Sequence, residues 1–79
     1  MITLTLYGRP DCHLCENMHA ELVPLLRGRA RISVVDVGTD QELERRYGER
    51  IPVLTAGSAE LCCIRLDFAS VESYLSTAL

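Results

Sequence analysis

The chain has 79 residues, 48% hydrophobic and 24% charged, which is the make-up of one ordinary globular domain with a modest core. Its net charge of −3, with all eight basic residues scattered arginines and no lysine, excludes a nucleic-acid binder that relies on a basic stripe. No apolar run reaches the roughly 20 residues that span a bilayer. The chain passes from Met1 directly into a strand pattern, so no signal peptide is expected. The expectation is therefore a single domain over 1–79, a monomer in a reducing cytoplasm, with neither membrane nor nucleic acid as partner.

Along Met1 to Leu6, Ile2, Leu4 and Leu6 alternate with Thr3 and Thr5, the period of a strand, and Gly8 and Pro10 end it. From Cys12 onward Leu14, Met18, Leu22 and Leu25 or Leu26 recur at helical spacing. Pro24 lies inside that pattern and predicts a kink, or a helix end near Val23. Gly28 suits the position after the helix. Arg31–Val37 reads as a second strand, ended by Gly38. Thr39 and Glu42 match a capping box with Thr39 as N-cap, opening a short helix on Leu43 and Tyr47 that Gly48 stops. Glu42 and Arg46 are placed to pair across its surface.

Ile51–Leu54 is a third strand beginning on Pro52. Ala56-Gly57-Ser58 turns the chain into a fourth, Glu60–Leu66, antiparallel to it. Asp67, or alternatively Ser70, caps a last helix with Phe68, Val71, Leu75 and Leu79 as its apolar stripe. The order is βαβαββα. Two successive β-α-β passes with right-handed crossovers put the first three strands in one sheet, the first and third as neighbours.

The chemistry is concentrated in Cys12-His13-Leu14-Cys15, between the first strand and the first helix. A cysteine at a helix N-terminus faces unpaired N–H groups and the positive end of the dipole. Both favour thiolate, the reactive form, and such surroundings bring a thiol pKa from about 8.5 to roughly 3.5–7.5. A second cysteine one turn on can attack a mixed disulfide formed on the first. The other readings are a metal site and a pair of inert buried cysteines. A metal would need two more donors, and Cys62 and Cys63 are adjacent in a strand and so point to opposite faces. They read as core and strand-face residues. His13 either holds a positive charge beside Cys12 or is a solvated residue of the first turn. His19 reads as exposed, and Asp11 as a cap near the helix start.

The element order, with Cys-x-x-Cys at the first helix and a proline opening the third strand, resembles the thioredoxin fold. Tyr7-Gly8-Arg9-Pro10-Asp11-Cys12-His13-Leu14-Cys15 is similar to the glutaredoxin pattern Tyr-Ser-Lys-Pro-x-Cys-Pro-Tyr-Cys. The resemblance implies an α/β, thioredoxin-like fold with a four-stranded mixed sheet and helices on both faces. It implies a thiol–disulfide oxidoreductase in which Cys12 is the nucleophile and Cys15 resolves. The alternative is a non-catalytic binding or redox-sensing module on the same scaffold. It further implies a cis Ile51-Pro52 bond, with Ile51 presenting its backbone to an extended substrate. Arg9 and Arg50 would receive a carboxylate of glutathione or of a peptide, and Asp67 would face the glutathione amine. No bound cofactor or metal is expected. The partners would be a protein or low-molecular-weight disulfide, with glutathione or a thioredoxin-type reductant recycling the pair. Glutaredoxins carry a Gly-Gly pair before the last helix, where this chain has Ile64-Arg65-Leu66.

Overall fold

The structure, a computed structural model, describes residues 1–77. Strand β1 (Ile2–Gly8) leads to helix α1 (His13–Leu26) and strand β2 (Ala30–Asp36). A single 3₁₀ turn (Val37–Thr39), the short helix α2 (Gln41–Tyr47) and a second 3₁₀ turn (Gly48–Arg50) follow. Strands β3 (Val53–Ala56) and β4 (Ala59–Cys63) and helix α3 (Phe68–Thr77) complete the described chain.

The sheet order is β2-β1-β3-β4. Strand β1 pairs with β2 in parallel, from Ile2 opposite Ala30 to Gly8 opposite Asp36. It pairs with β3 antiparallel, Tyr7 opposite Val53 and Thr5 opposite Thr55. Only the first pass is thus a parallel crossover, and the expectation of two is corrected. The connection to β3 is one short helix between two 3₁₀ turns, which doubles the chain back on itself, so it re-enters the sheet at the end it left, beside Tyr7.

One face of the sheet makes the core. Leu4 and Leu6 of β1 and Leu54 and Ala56 of β3 pack with Met18, Leu22 and Leu26 of α1 and Val71 and Leu75 of α3. The opposite face carries Tyr7, whose ring stacks on Tyr47 of α2 with centroids 4.3 Å apart. The molecule is therefore helix, sheet, helix, with α2 covering only one end of its face.

Local chemistry explains where the elements depart from expectation. Helix α1 runs through Pro24 to Leu26. Proline removes the bond to the Ala20 carbonyl, but Ala20 and Pro24 are both exposed, so water can satisfy that carbonyl. Gly28 follows the helix with φ 76°, the left-handed step that ends many helices. The N-cap of α2 is Asp40, not Thr39: Asp40 Oδ1 accepts from the Glu42 N–H at 2.8 Å. The Thr39 hydroxyl instead donates to the Asp36 carbonyl, 2.8 Å away, closing the preceding turn. Glu42 pairs with Arg45 at 2.8 Å and not with Arg46.

Strand β4 stops at Cys63 and does not reach Leu66. The Arg65 N–H donates back to the Cys63 carbonyl at 2.7 Å across Ile64, a tight three-residue turn. In α3, Val71 and Leu75 face the core, while Phe68 is 54% exposed and leaves the expected stripe. Leu79 lies outside the described residues. Cys62 is paired with Leu54 and packs against the core, and Cys63 is paired with Val53 on the other face.

Candidate active site

Cys12 and Cys15 are joined by a disulfide, with Cα atoms 5.2 Å apart. Cys12 is itself the N-cap of α1, extended at φ −102° and ψ 112°. Its sulfur accepts from the Cys15 N–H at 3.1 Å, and its carbonyl accepts from the Glu16 N–H at 3.1 Å. Asp11, read from sequence as a cap, is exposed in the preceding turn and has no such role. The two cysteines differ in exposure. Cys12 is half-buried, whereas Cys15 is 8% exposed. His13 is the first residue of α1 and exposed, as is His19.

Cys15 is seated by Gly8, a residue the sequence reading used only to end a strand. A Cβ at Gly8 would lie 2.7 Å from the Cys15 Sγ and 3.1 Å from its Cβ. Real Cβ atoms do not approach so closely, so the absence of a side chain there makes room for the disulfide. The signal was available. Gly8 continues the two-residue period of Leu4 and Leu6, and a glycine on the apolar face of a strand marks a close approach.

The Ile51–Pro52 peptide bond is cis, Pro52 is buried and Ile51 half-buried. The Pro52 carbonyl accepts from the Ile64 N–H at 2.7 Å, tying the end of β4 to the start of β3. Ile64 has φ 70° although it is β-branched. That left-handed conformation is ordinary for glycine and an outlier for isoleucine.

Both arginines singled out in the sequence are held by carboxylates of the chain itself. Arg9 bonds to Glu44 of α2, an interaction that raises the guanidinium pKa, with Asp11 and Asp36 adding weaker attraction. Arg50 bonds to Glu60 of β4, which likewise raises its pKa. It also donates to the Arg46 carbonyl at 3.3 Å and lies 5.6 Å from the Tyr47 ring centre. Neither Glu44 nor Glu60 was anticipated, since one pairing spans 35 residues and the other 10, both beyond the reach of local pattern. Asp67 caps α3: its Oδ1 accepts from the Ser70 N–H at 3.2 Å and its Oδ2 from the Ser70 hydroxyl at 2.8 Å. These bonds, the hydroxyl first, hold its carboxyl below the usual range. Ser70, the alternative cap, supports Asp67 from inside the helix.

Among the described residues, no three His, Cys, Asp or Glu side chains gather as a metal site. The arrangement is suited to thiol–disulfide exchange, with one sulfur reachable, its partner enclosed, and a helix N-terminus beneath the first.

The family model described as "Glutaredoxin-like domain (DUF836)" matches residues 3–76. The chain belongs to that family. This glutaredoxin-like chain is similar to the X-ray structure of Northeast Structural Genomics target protein XcR50 from X. campestris, with 34% identity and a TM-score of 0.70. That match covers 96% of this chain and 99% of the other. The solution structure of the same target agrees, at 34% identity and a TM-score of 0.70, over 100% of this chain and 97% of that one. A third structure, titled "Structure of a malarial protein", shares the fold at 14% identity and a TM-score of 0.63, covering 100% of this chain and 98% of that one. No curated protein matches the chain. The thioredoxin-like, four-stranded mixed architecture expected from the sequence is the one these neighbours share.

Proposed function

We propose that this glutaredoxin-like protein is a thiol–disulfide oxidoreductase. The observation that carries the reading is the unequal exposure of the pair: Cys12 is half-buried at the N-cap of α1, and Cys15 is enclosed behind it against Gly8. An accessible thiolate attacks and an enclosed one resolves.

In the reducing direction the Cys12 thiolate attacks one sulfur of a substrate disulfide. The substrate S–S bond breaks, a mixed disulfide forms on Cys12, and the first substrate thiolate leaves and takes up a proton. The Cys15 thiolate then attacks the Cys12 sulfur. The second substrate thiol is released, and the protein is left with the Cys12–Cys15 bond. Two electrons pass from the protein dithiol to the substrate. A thiol or dithiol reductant restores the starting state by the same exchange.

Glutathione is the less supported co-substrate. Glu44 and Glu60 already hold Arg9 and Arg50 and compete with any carboxylate that glutathione would bring. A disulfide-bearing polypeptide does not depend on those arginines.

The test uses fully reduced protein and a disulfide substrate, followed by rapid quench. Wild type is expected to convert the substrate to two thiols, Cys12→Ser to be inactive, and Cys15→Ser to accumulate a stable mixed disulfide. Equal rates for wild type and Cys12→Ser overturn the reading.

A further inference from the structure

A cavity of about 490 Å³ opens between the first turns of α1 and the end of β2, and Cys15 is part of its wall. Cys12 is not. Gly8 borders the cavity as well and stands opposite Asp36 in the register of β1 and β2. The charged and titratable groups around it are Arg9 of the loop, Glu16 and His19 of α1, and Asp36 of β2. The enclosed member of the redox pair thus adjoins a polar-lined space large enough for water.

Resolution needs a proton acceptor at this place. Once Cys12 is tied up in a mixed disulfide, its sulfur can no longer take the proton of Cys15. A thiol enclosed by protein also ionises less readily than one in water. Of the groups around the cavity, Arg9 is a donor only and is bonded to Glu44. Asp36 already accepts from the Gly38 N–H at 2.8 Å. Carboxylates as a class titrate about four pH units below thiols and are weak bases toward them. Imidazole is the side-chain type whose ordinary titration lies closest to neutrality. His19 stands one helical turn beyond Cys15, and helical side chains lean back toward the preceding turn. Its ring therefore leans toward the turn that holds Cys15, and both residues border the same cavity.

We infer that His19 is the proton acceptor for Cys15 in the resolving step. The inference rests on the oxidoreductase reading and adds a residue to it. The Cys15 S–H bond breaks, and its proton passes through water in the cavity to the neutral imidazole. The Cys15 thiolate attacks the Cys12 sulfur. The bond between Cys12 and the substrate sulfur breaks, and the substrate leaves as a thiolate that solvent protonates. His19 is exposed and returns its proton to water. The net change is one thiol and one mixed disulfide into one internal disulfide and one substrate thiol, with no further oxidant or reductant.

The experiment mixes fully reduced protein with excess bis(2-hydroxyethyl) disulfide, quenches with acid at intervals and follows the Cys12 adduct by peptide mass mapping. His19→Gln, a good helix former at an exposed helical position, is expected to form the adduct at the wild-type rate. It should lose the adduct at least about tenfold more slowly at neutral pH, a modest share of what a placed acid–base group contributes. In wild type the rate of loss falls as pH drops through the titration of His19, followed separately by NMR of its ring. His19→Gln lacks that limb, which a merely structural role would leave in place, whereas Glu16→Gln and Asp36→Asn keep it. Equal rates of loss in wild type and His19→Gln overturn the inference and leave the oxidoreductase reading standing. Slower loss with the pH limb retained, or a limb that disappears in Asp36→Asn, overturns it too. Wild type that forms no adduct on Cys12 removes the oxidoreductase reading and the proton acceptor with it.

Discussion

Gly8 and Cys15 are in a contact that tolerates no added atom: a Cβ on Gly8 would come within 2.7 Å of the Cys15 sulfur. That sulfur is bonded to Cys12 and cannot swing aside. Gly8→Ala is therefore expected to destabilise the oxidised protein by about 1–3 kcal/mol, the usual range for overfilling a packed site. The penalty should be smaller in the reduced protein, where the Cys15 side chain is free to change rotamer. Denaturant unfolding of both redox forms measures this. Equal losses in the two forms would mean that the strand, not the sulfur, absorbs the added methyl.

The core predicts its own weak point. Leu22 is fully buried between α1 and the sheet, among Leu4, Leu6, Leu54 and Val71. Leu22→Ala should remove about 2–5 kcal/mol. In a domain of this size that lowers Tm by at least about 8 °C. Calorimetry reads it directly, and a shift of only a degree or two would contradict the packing described.

Tyr7 and Tyr47 stack at 4.3 Å with planes 23° apart, joining β1 to α2 across the sparsely covered face of the sheet. A double-mutant cycle with Tyr7→Leu and Tyr47→Leu is expected to give a coupling of about 0.5–1.5 kcal/mol. A coupling near zero would show that the rings contribute area alone.

Two carboxyls set the response to acid. Ser70 holds the Asp67 carboxyl below its ordinary range, and the Arg29 ion pair at 2.8 Å does the same for Glu72. A depressed folded-state pKa contributes stability that is present above the unfolded value, near pH 4, and is lost as pH falls through the folded value. Stability should be level from neutral pH to about pH 5 and decline below about pH 4. Asp67 is exposed and Glu72 only half-buried, so the change is small. Asp67→Asn combined with Glu72→Gln should narrow the difference between unfolding free energies at pH 7 and pH 3. No narrowing would assign the acid limb to other carboxyls.

Burial raises the Cys62 thiol pKa, and the charges of Asp67, Cys63 and Glu60 push the same way, against a backbone hydrogen bond from Asp67. Iodoacetamide at pH 8 should label Cys62 several-fold more slowly than a small free thiol. Peptide mapping of the oxidised protein, in which Cys12 and Cys15 are protected, reads this rate. Labelling as fast as the free thiol would place Cys62 outside the core it packs against.

Local signals carried much of the architecture into the sequence. The alternation of Ile2, Leu4 and Leu6, the helical recurrence of Met18, Leu22 and Leu26, and the turn at Gly57 are short-range patterns, and each element is present. So is the placement of Cys12 and Cys15 at the start of a helix. What could not be read depends on partners far along the chain. Arg9 meets Glu44 and Arg50 meets Glu60 only after β1, α2 and β4 converge. The direction of β3 turned on how the two 3₁₀ turns flanking α2 bend the chain, which the residue pattern does not encode. The choice of Asp40 over Thr39 as cap turned on a neighbouring turn that used the threonine hydroxyl first.

The antiparallel return of β3 divides the molecule into two poles. Gly8, the start of α1, Asp36 and Pro52 gather at one. The turn at Gly57-Ser58 and the bend at Gly28 lie at the other, where β1 starts opposite Ala30. A Cβ at either glycine would meet nothing within 4 Å. That far pole offers an attachment point: a fluorophore, an affinity tag or a tether to a surface can be mounted there while the pole that carries Cys12 stays unobstructed.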